Sequence, residues 1–100
     1  MINNQPLNGV RVLDLTNIIM GPFTTQLLGD LGADIIKVES PEGDLMRDMG
    51  ISKSEKMSSV FLGTNRNKRS IVLNLKEKSH KLVLWKLIAK SDIFIHNMRP

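Results

Sequence analysis

The sequence predicts an α/β fold in which crossover helices join the strands of a mostly parallel sheet. Four short segments rich in β-branched and apolar residues alternate with segments of helical periodicity. Gly and Pro separate these segments, and such alternation favours parallel pairing. The chain has 100 residues, of which 41% are hydrophobic and 24% charged, and this composition is typical of one globular domain rather than a disordered segment.

The first half of the chain predicts a strand, a helix and a second strand. Residues 10–15 (VRVLDL) are the first strand. Residues 22–31 are the helix, because proline suits its first turn and Gly32 suits its end. Residues 34–38 (DIIKV) are the second strand, and the Pro and Gly that follow indicate a turn.

The second half predicts a loop, a strand, a helix and a last strand. Residues 40–60 lack periodicity and predict a long loop, a kind of segment that often covers a functional site. Residues 70–75 are the third strand. Residues 77–90 are apolar on more than one helical face, which predicts a largely buried helix with Trp85 in the core. Residues 93–97 are the fourth strand, and the chain stops soon after it, so we expect the N-terminal part of a larger fold.

Composition limits the cellular location and the classes of partner. The chain has no cysteine, residues 1–5 lack the features of a secretory signal, and no apolar run approaches the ~20 residues of a membrane span. We therefore expect a cytoplasmic protein without a membrane segment. The net charge of +4 makes an anionic partner worth considering.

Candidate ligand-binding positions follow from the predicted sheet, because open parallel sheets bind ligands beyond the carboxyl ends of their strands. These positions are residues 17–21, Glu39, Ser40, Lys76, Asn97 and Met98. The amides of Phe23 and Thr24 would add anion-binding donors at the start of the first helix. The alternative is that the glycine and proline before Phe23 only begin a helix and that Asn97 only satisfies backbone groups at a strand end.

A basic cluster at Arg66, Lys68 and Arg69 supports a hypothesis of a different class, a non-catalytic nucleotide-binding or nucleic-acid-binding module. The alternative is a solvated turn. Only four aromatic residues are present, so nucleic-acid binding by base stacking is not favoured.

Motifs of several other site classes are missing from the sequence. It lacks the glycine pattern G-x-G-x-x-G of dinucleotide-binding folds, although Glu39 occupies the position of a ribose-binding acid. His80 and His96 have no ligand spacing around them, so we expect no metal site. The carboxylates of the chain form no recognisable acid/base pair.

Six blocks of residues occur in an order that is typical of one enzyme family. The blocks are PLNGVRVLDLT (6–16), GPF (21–23), LGDLGADIIKVE (28–39), the Pro, Gly-Asp and Arg of 41–47, NRNKRS with the Leu and Leu-Lys that follow (65–76), and DIFIHN with Arg-Pro (92–100). They closely resemble the start of class III CoA-transferases, the family that includes formyl-CoA transferase, carnitine CoA-transferase and α-methylacyl-CoA racemase. The resemblance covers nearly the whole chain apart from residues 50–59.

The resemblance implies a Rossmann-like domain and an enzyme that moves CoA between an acyl-CoA and a carboxylic acid. In the family an aspartate attacks the thioester carbonyl, and the freed CoA thiolate converts the acyl-aspartyl anhydride to an aspartyl-CoA thioester. The acceptor carboxylate then collects CoA. We expect that aspartate beyond Pro100, so the 100-residue chain alone would be inactive. An acyl-CoA racemase of the same family is the alternative.

The family's CoA contacts can be transferred to positions of this sequence. They fall on Ile18, Ile19, Met20, Ser40, Leu73, Lys76, Asn97 and Met98. Two positions depart from the family pattern: many members have an arginine at Ser40, and formyl-CoA transferase has a catalytic-loop glutamine at Ile19. The resemblance also implies that the full-length protein is an interlocked homodimer.

Overall fold

A computed structural model describes residues 4–100, so part of residues 1–5, which we expect to lack a secretory signal, lies outside the described residues. It shows four strands, three α-helices and one 3₁₀ helix. The strands are β1 (Arg11–Leu15), β2 (Asp34–Glu39), β3 (Lys68–Val72) and β4 (Ile93–His96). The helices are α1 (Met20–Asp30), α2 (Ser59–Thr64), α3 (Lys78–Ala89) and the 3₁₀ helix Leu45–Asp48.

All strand pairs in the sheet are parallel, and the spatial order is β3-β2-β1-β4. The predicted α/β fold with a parallel sheet is confirmed. The chain adds β2 and β3 on one side of β1 and then crosses over to place β4 on the other side. This reversal makes the gap between the carboxyl ends of β1 and β4 the topological switch point, where open α/β sheets bind ligands.

Each face of the sheet has its own core, because neighbouring residues of a strand point to opposite faces. On one face Leu13 and Leu15 of β1 pack with Leu87 and Ile88 of α3. On the other face Val12 of β1 packs with Leu28 of α1. The two crossover helices therefore cover opposite faces of the sheet.

Helix α1 begins earlier than the predicted residues 22–31. It starts at Met20, so Pro22 occupies its first turn, where a missing N–H costs no helical hydrogen bond. The prediction that the Phe23 amide is free for an anion is wrong, because Phe23 N–H donates to the Ile19 carbonyl at 2.8 Å. The helix ends as predicted before Gly32, whose φ of +106° places it in the left-handed region.

The connection between β2 and β3 contains more structure than the predicted loop at residues 40–60. Asp44 caps the 3₁₀ helix by accepting from Met46 N–H, and Ser58 caps α2 by accepting from Phe61 N–H. Strand β3 begins two residues before the predicted position. It ends before Leu73, which still donates its N–H to the Glu39 carbonyl at 2.9 Å.

The prediction that the helix at residues 77–90 is largely buried is wrong. No residue of α3 is buried, and Leu82 and Trp85 are 62% and 65% exposed. A sheet contacts only one face of a helix, and the Leu84 face of α3 makes that contact. Trp85 lies on the uncovered face and not in the core. None of the helices within residues 4–100 has the length and apolar character needed to cross a membrane.

Candidate functional site

A cleft of about 320 Å³ lies beyond the carboxyl ends of β1, β2 and β3. It is lined by Leu15, Asn17, Val38, Glu39, Ser40, Pro41, Glu42, Leu73, Asn74, Leu75, Lys76 and Met98. Four of the eight residues named from the resemblance, Ser40, Leu73, Lys76 and Met98, therefore line one cleft. The parallel topology brings them together from three separate segments of the chain.

Apolar walls and a single lining cation give this cleft its chemistry. Leu15, Val38 and Leu73 belong to the core beneath α3 and form its floor. Among the lining residues Lys76 is the only one with a basic side chain. Such a cleft can pack apolar groups of a ligand and place one cation near an anion, beside the carboxylates of Glu39 and Glu42 that also line it.

The turn between β3 and α3 fixes the position of Lys76. Asn74 N–H donates to Nδ1 of His80 at 2.8 Å, and Lys76 N–H donates to Oδ1 of Asn74 at 3.1 Å. Glu42 faces Lys76 across the cleft. Hydrogen bonds from its own backbone and from Ser40, together with the Lys76 charge, hold the pKa of Glu42 below its ordinary value. An anion that binds to Lys76 would therefore lie near the Glu42 carboxylate as well.

Asn97 joins the ends of β1 and β4 at the topological switch point. Its side-chain oxygen accepts from Asn17 N–H at 3.1 Å, and its side-chain NH₂ donates to the Asn17 carbonyl at 2.9 Å. Asn97 therefore satisfies backbone groups at a strand end, and its contact with a ligand stays a prediction. The next residue, Met98, lines the cleft, so the Asn97 bridge borders it.

Residues 18–20 follow directly at this switch point but do not line the cleft. Ile18, Ile19 and Met20 are 45%, 46% and 76% exposed. Ile18 has a φ of +76°, in the left-handed region that β-branched residues rarely adopt. Its N–H donates to Oδ1 of Asp44 at 3.1 Å. Nothing in the sequence indicates this conformation.

Three ion pairs with buried carboxylates were not predicted from the sequence, and one of these carboxylates, Glu39, lines the cleft. Lys37 pairs with Asp44 at 2.9 Å, Lys68 with Asp14 at 3.1 Å, and Arg47 with Glu39 at 2.6 Å. The acidic side chains are 0–2% exposed. These carboxylates are partners of basic residues and not members of an acid/base pair.

Hydrogen bonds lower the pKa of two of these carboxylates, Glu39 and Asp14, in spite of burial. For Glu39 burial raises the pKa, but hydrogen bonds from Arg47, the Asp44 backbone and Ser70 outweigh it and lower the pKa to about 2. Because Glu39 has these partners, it does not offer the free carboxylate that a ribose-binding acid needs. For Asp14 burial is likewise outweighed by hydrogen bonds from Thr16 and Thr25, so its pKa is lowered.

The basic cluster does not form a free cationic patch. Arg66 pairs with Asp30 at 2.7 Å, and Arg69 pairs with Asp34 at 2.7 Å. Lys68, the third member, is the buried partner of Asp14. The nucleic-acid hypothesis therefore loses the unpaired charges on which it depended.

The two histidines bond to different turns of the chain. His80 caps the turn before α3, whereas Nδ1 of His96 accepts from Met98 N–H at 3.2 Å on another strand end. Across residues 4–100 no three His, Asp or Glu side chains group in a way that could hold a metal ion.

The parallel sheet, its switch point and the cleft at its carboxyl edge define an α/β protein of the kind that binds nucleotides and coenzymes. Residues 7–100 match the profile of CoA-transferase family III, and the chain belongs to this family.

The chain is similar to named enzymes and to a solved structure. It is 46% identical over 97 residues to succinyl-CoA:glutarate CoA-transferase of Mus musculus, which covers 96% of this chain and 22% of the mouse protein. It is 45% identical over 96 residues to formyl-CoA:oxalate CoA-transferase of Streptomyces coelicolor, covering 96% of this chain and 23% of that enzyme. A CAIB/BAIF family protein from Brucella suis superimposes with a TM-score of 0.87 at 38% identity, covering 96% of this chain and 26% of that one. The chain thus spans about a quarter of the length of these relatives.

Proposed function

We propose that residues 1–100 form the N-terminal part of the Rossmann-like domain of an enzyme that moves CoA between an acyl-CoA and a carboxylic acid, with residues 40–60 bordering its site. The observation that carries this proposal is the family match over residues 7–100. The cleft at the carboxyl edge of the sheet supports it independently, because its position follows from topology alone.

The proposed CoA contacts are Ile18, Ile19, Met20, Ser40, Leu73, Lys76, Asn97 and Met98. Lys76 would bind a phosphate of the coenzyme as a point charge. Leu73 and Met98 would pack against its uncharged parts. Ile18, Ile19 and Met20, which lie before and within the first turn of α1, would contact the coenzyme at the switch point. Asn97 bonds to the backbone of the preceding residue, Asn17.

The proposed reaction passes through an aspartyl-CoA thioester. A catalytic aspartate beyond residue 100 attacks the acyl-CoA carbonyl, and CoA leaves as a thiolate. The thiolate attacks the aspartyl carbonyl of the resulting anhydride, which releases the acid and forms the thioester. The acceptor carboxylate then attacks that thioester, CoA leaves again and completes the exchange by attacking the acceptor's carbonyl. Asp14 and Asp44 are unsuited to this role because both are buried in ion pairs.

The names of the relatives support a dicarboxylic acid as acceptor. The mouse enzyme is named for glutarate, the Streptomyces enzyme for oxalate, and a Chloroflexus aurantiacus relative, 43% identical, for L-malate. All three acids carry two carboxylates. We infer that the acceptor of this protein is a member of this class, with no metal required.

We also propose a cytoplasmic homodimer with interlocked chains for the complete protein. The Chloroflexus relatives are named alpha and beta subunits, so a pair of unlike chains is the second arrangement. Sedimentation of the purified protein expressed alone distinguishes the two: a homodimer forms without a second gene product.

Incubation of the complete protein with succinyl-CoA and a panel of dicarboxylic acids tests the function. The expected result is a new acyl-CoA, detected chromatographically, together with free succinate. Lys76→Ala should raise KM for the acyl-CoA about tenfold, since a hydrogen bond to a charged group contributes roughly 1.5–3 kcal/mol. Lys81→Ala, which removes an exposed lysine of α3 outside the cleft, should leave KM unchanged.

Two other results would overturn the proposal. Exchange of a substrate α-proton with solvent deuterium, in the absence of any acceptor acid, would establish an acyl-CoA racemase instead. No new acyl-CoA with any acid and no α-proton exchange would exclude both activities.

A further inference from the structure

Asp44 is a buried carboxylate to which the proposed reaction gives no role. Its side chain is fully buried, and it accepts hydrogen bonds from the segment after β1, from β2 and from the 3₁₀ helix. Oδ1 accepts from Ile18 N–H at 3.1 Å and from Met46 N–H at 3.0 Å, while Oδ2 accepts from the Lys37 ammonium at 2.9 Å. One carboxylate therefore connects the segment after β1 with the segment after β2.

The surroundings of Asp44 fix its carboxylate in place. Lys37 is itself 1% exposed, and its ammonium also donates to the Thr16 carbonyl at 3.0 Å. The backbone N–H of Asp44 donates to Glu39 at 2.9 Å, and Glu39 is held in turn by Arg47. Asp44 is therefore held by contacts with Lys37, Glu39 and Met46 that do not involve Ile18.

Ile18 adopts a backbone conformation that needs to be stabilised by contacts with other residues. A β-branched residue with a φ of +76° is strained, and strained backbone persists only where neighbouring groups determine it. The N–H of Ile18 is bonded to Asp44, and the residue before it, Asn17, is bonded on both backbone groups to Asn97. Strain of this kind is found preferentially at functional sites.

We propose that Asp44 is a positioning residue: it holds Ile18 in the left-handed conformation and thereby sets Ile19 and Met20 at the switch point for contact with the coenzyme. This inference rests on the proposed function and deepens it. Lys37 holds the orientation of the Asp44 carboxylate through its contact with Oδ2. The alternative is that Asp44 is only the cap of the 3₁₀ helix, in which case coenzyme binding would not depend on it.

Serine at position 44 separates these two roles. A serine hydroxyl caps a helix well but is too short to reach both Ile18 N–H and Lys37. In the complete protein, Asp44→Ser should raise KM for the acyl-CoA at least about tenfold, because displacing a contacting group by ~1 Å can cost ~100-fold. The matched control is Asp48→Ser, which removes an exposed carboxylate of the same 3₁₀ helix that pairs with Lys56; its KM should equal the wild-type value.

Glycine at position 18 supplies a second, independent measurement. Glycine adopts a positive φ without strain, so it no longer requires the Asp44 hydrogen bond. On an Ile18→Gly background, Asp44→Ser should change KM less than about threefold, whereas the loss of thermal stability from the stranded Lys37 charge should persist. A KM that no longer responds to Asp44→Ser on the Ile18→Gly background, while the loss of stability persists, is a signature that a purely structural role would not give.

The proposal is overturned if Asp44→Ser folds and keeps the wild-type KM, or if its KM defect is as large on the Ile18→Gly background as in the chain that retains Ile18. If Asp44→Ser fails to fold, hydrogen exchange of the wild-type protein tests the proposal instead. The Ile18 amide should be protected, and exchange as fast as in an unfolded chain would show that Asp44 does not hold Ile18. A wild-type protein that does not use acyl-CoA would instead refute the proposed function. The exchange measurement would still test whether Asp44 holds Ile18 in place.

Discussion

Removal of the negative charge on Asp14 should destabilise the fold more than removal of any exposed carboxylate. Asp14 lies on β1 beneath α1 and is 0% exposed. Its carboxylate accepts from Thr16 N–H at 2.8 Å, from the Thr25 hydroxyl at 2.6 Å and from the Lys68 ammonium at 3.1 Å. It therefore joins β1, α1 and β3 through one group.

The size of the effect follows from the charge that Asp14→Asn would leave behind. Lys68 would keep only the Pro22 carbonyl at 2.9 Å and the Asn65 side chain at 2.7 Å, both uncharged. Breaking a buried ion pair by removing one partner costs roughly 3–5 kcal/mol, and because asparagine retains one acceptor oxygen we expect about 3 kcal/mol.

The loss should depend on pH in a defined direction. Burial lowers the pKa of Lys68 to about 8, even though the Asp14 charge opposes this change. Without Asp14 the folded-state pKa of Lys68 falls further, while the pKa in the unfolded chain stays near its ordinary 10.5. In the folded variant Lys68 then loses its proton at a pH below 8, whereas in the folded wild-type protein it stays protonated there. Below pH 8 the free energy of unfolding therefore rises with pH for the variant but not for the wild-type protein. The difference in free energy of unfolding between the wild-type protein and Asp14→Asn should therefore become smaller as the pH approaches about 8.

Urea-induced unfolding, followed by far-UV circular dichroism at several pH values, measures this effect. Asp30→Asn is the control, because Asp30 forms an exposed pair with Arg66 and its loss strands no buried charge. Equal unfolding midpoints for the two variants, or an Asp14→Asn deficit that widens with rising pH, would refute the role given to the stranded Lys68 charge.

Two further predictions concern stability. The pKa of Glu39 is lowered from 4.5 to about 2, so the stabilisation it contributes is present above pH 4.5 and is lost as the pH falls through about 2. Glu39→Gln should therefore flatten this part of a plot of the thermal unfolding midpoint against pH. Equal slopes for the variant and the wild-type protein would contradict this. Gly21→Ala would place a Cβ 2.5 Å from the Thr16 side chain, which should cost roughly 1–3 kcal/mol in denaturant unfolding. Gly63→Ala, whose Cβ meets nothing within 4 Å, is the control and should not destabilise; equal losses would show that the crowding is unimportant.

The succession of strands and helices along the chain and the parallel pairing of the strands could be predicted, because local patterns indicate the elements and their alternation favours parallel pairing. The apolar segments at Arg11–Leu15 and Asp34–Glu39 are flanked by turn residues, and both are buried in the sheet. Strand β3 began earlier than predicted, because Lys68 and Arg69 resemble a solvated turn until their acidic partners on other elements are known. The exposure of Trp85 could not be predicted either, since an apolar pattern does not show which face of a helix has a partner.

The site was predictable to the extent that topology determines it. Parallel strands bring their carboxyl ends to one edge, so Ser40, Lys76 and Met98 could be grouped from the sequence. The buried ion pairs could not. Lys68 and Asp14 are separated by 54 positions, and the pairing of Lys37 with Asp44 and of Arg47 with Glu39, 7 and 8 positions apart, depends on how the segment after β2 folds. The left-handed Ile18 was equally inaccessible, because a glycine or asparagine is the usual residue in that conformation.

The position of bound CoA is the most direct test of the proposed site. In a crystal structure of the complete protein grown with CoA, the coenzyme should occupy the cleft between Ser40, Leu73 and Met98, with the Lys76 ammonium within hydrogen-bonding distance of a phosphate oxygen. CoA bound elsewhere, while this cleft contains only solvent, would contradict the proposal.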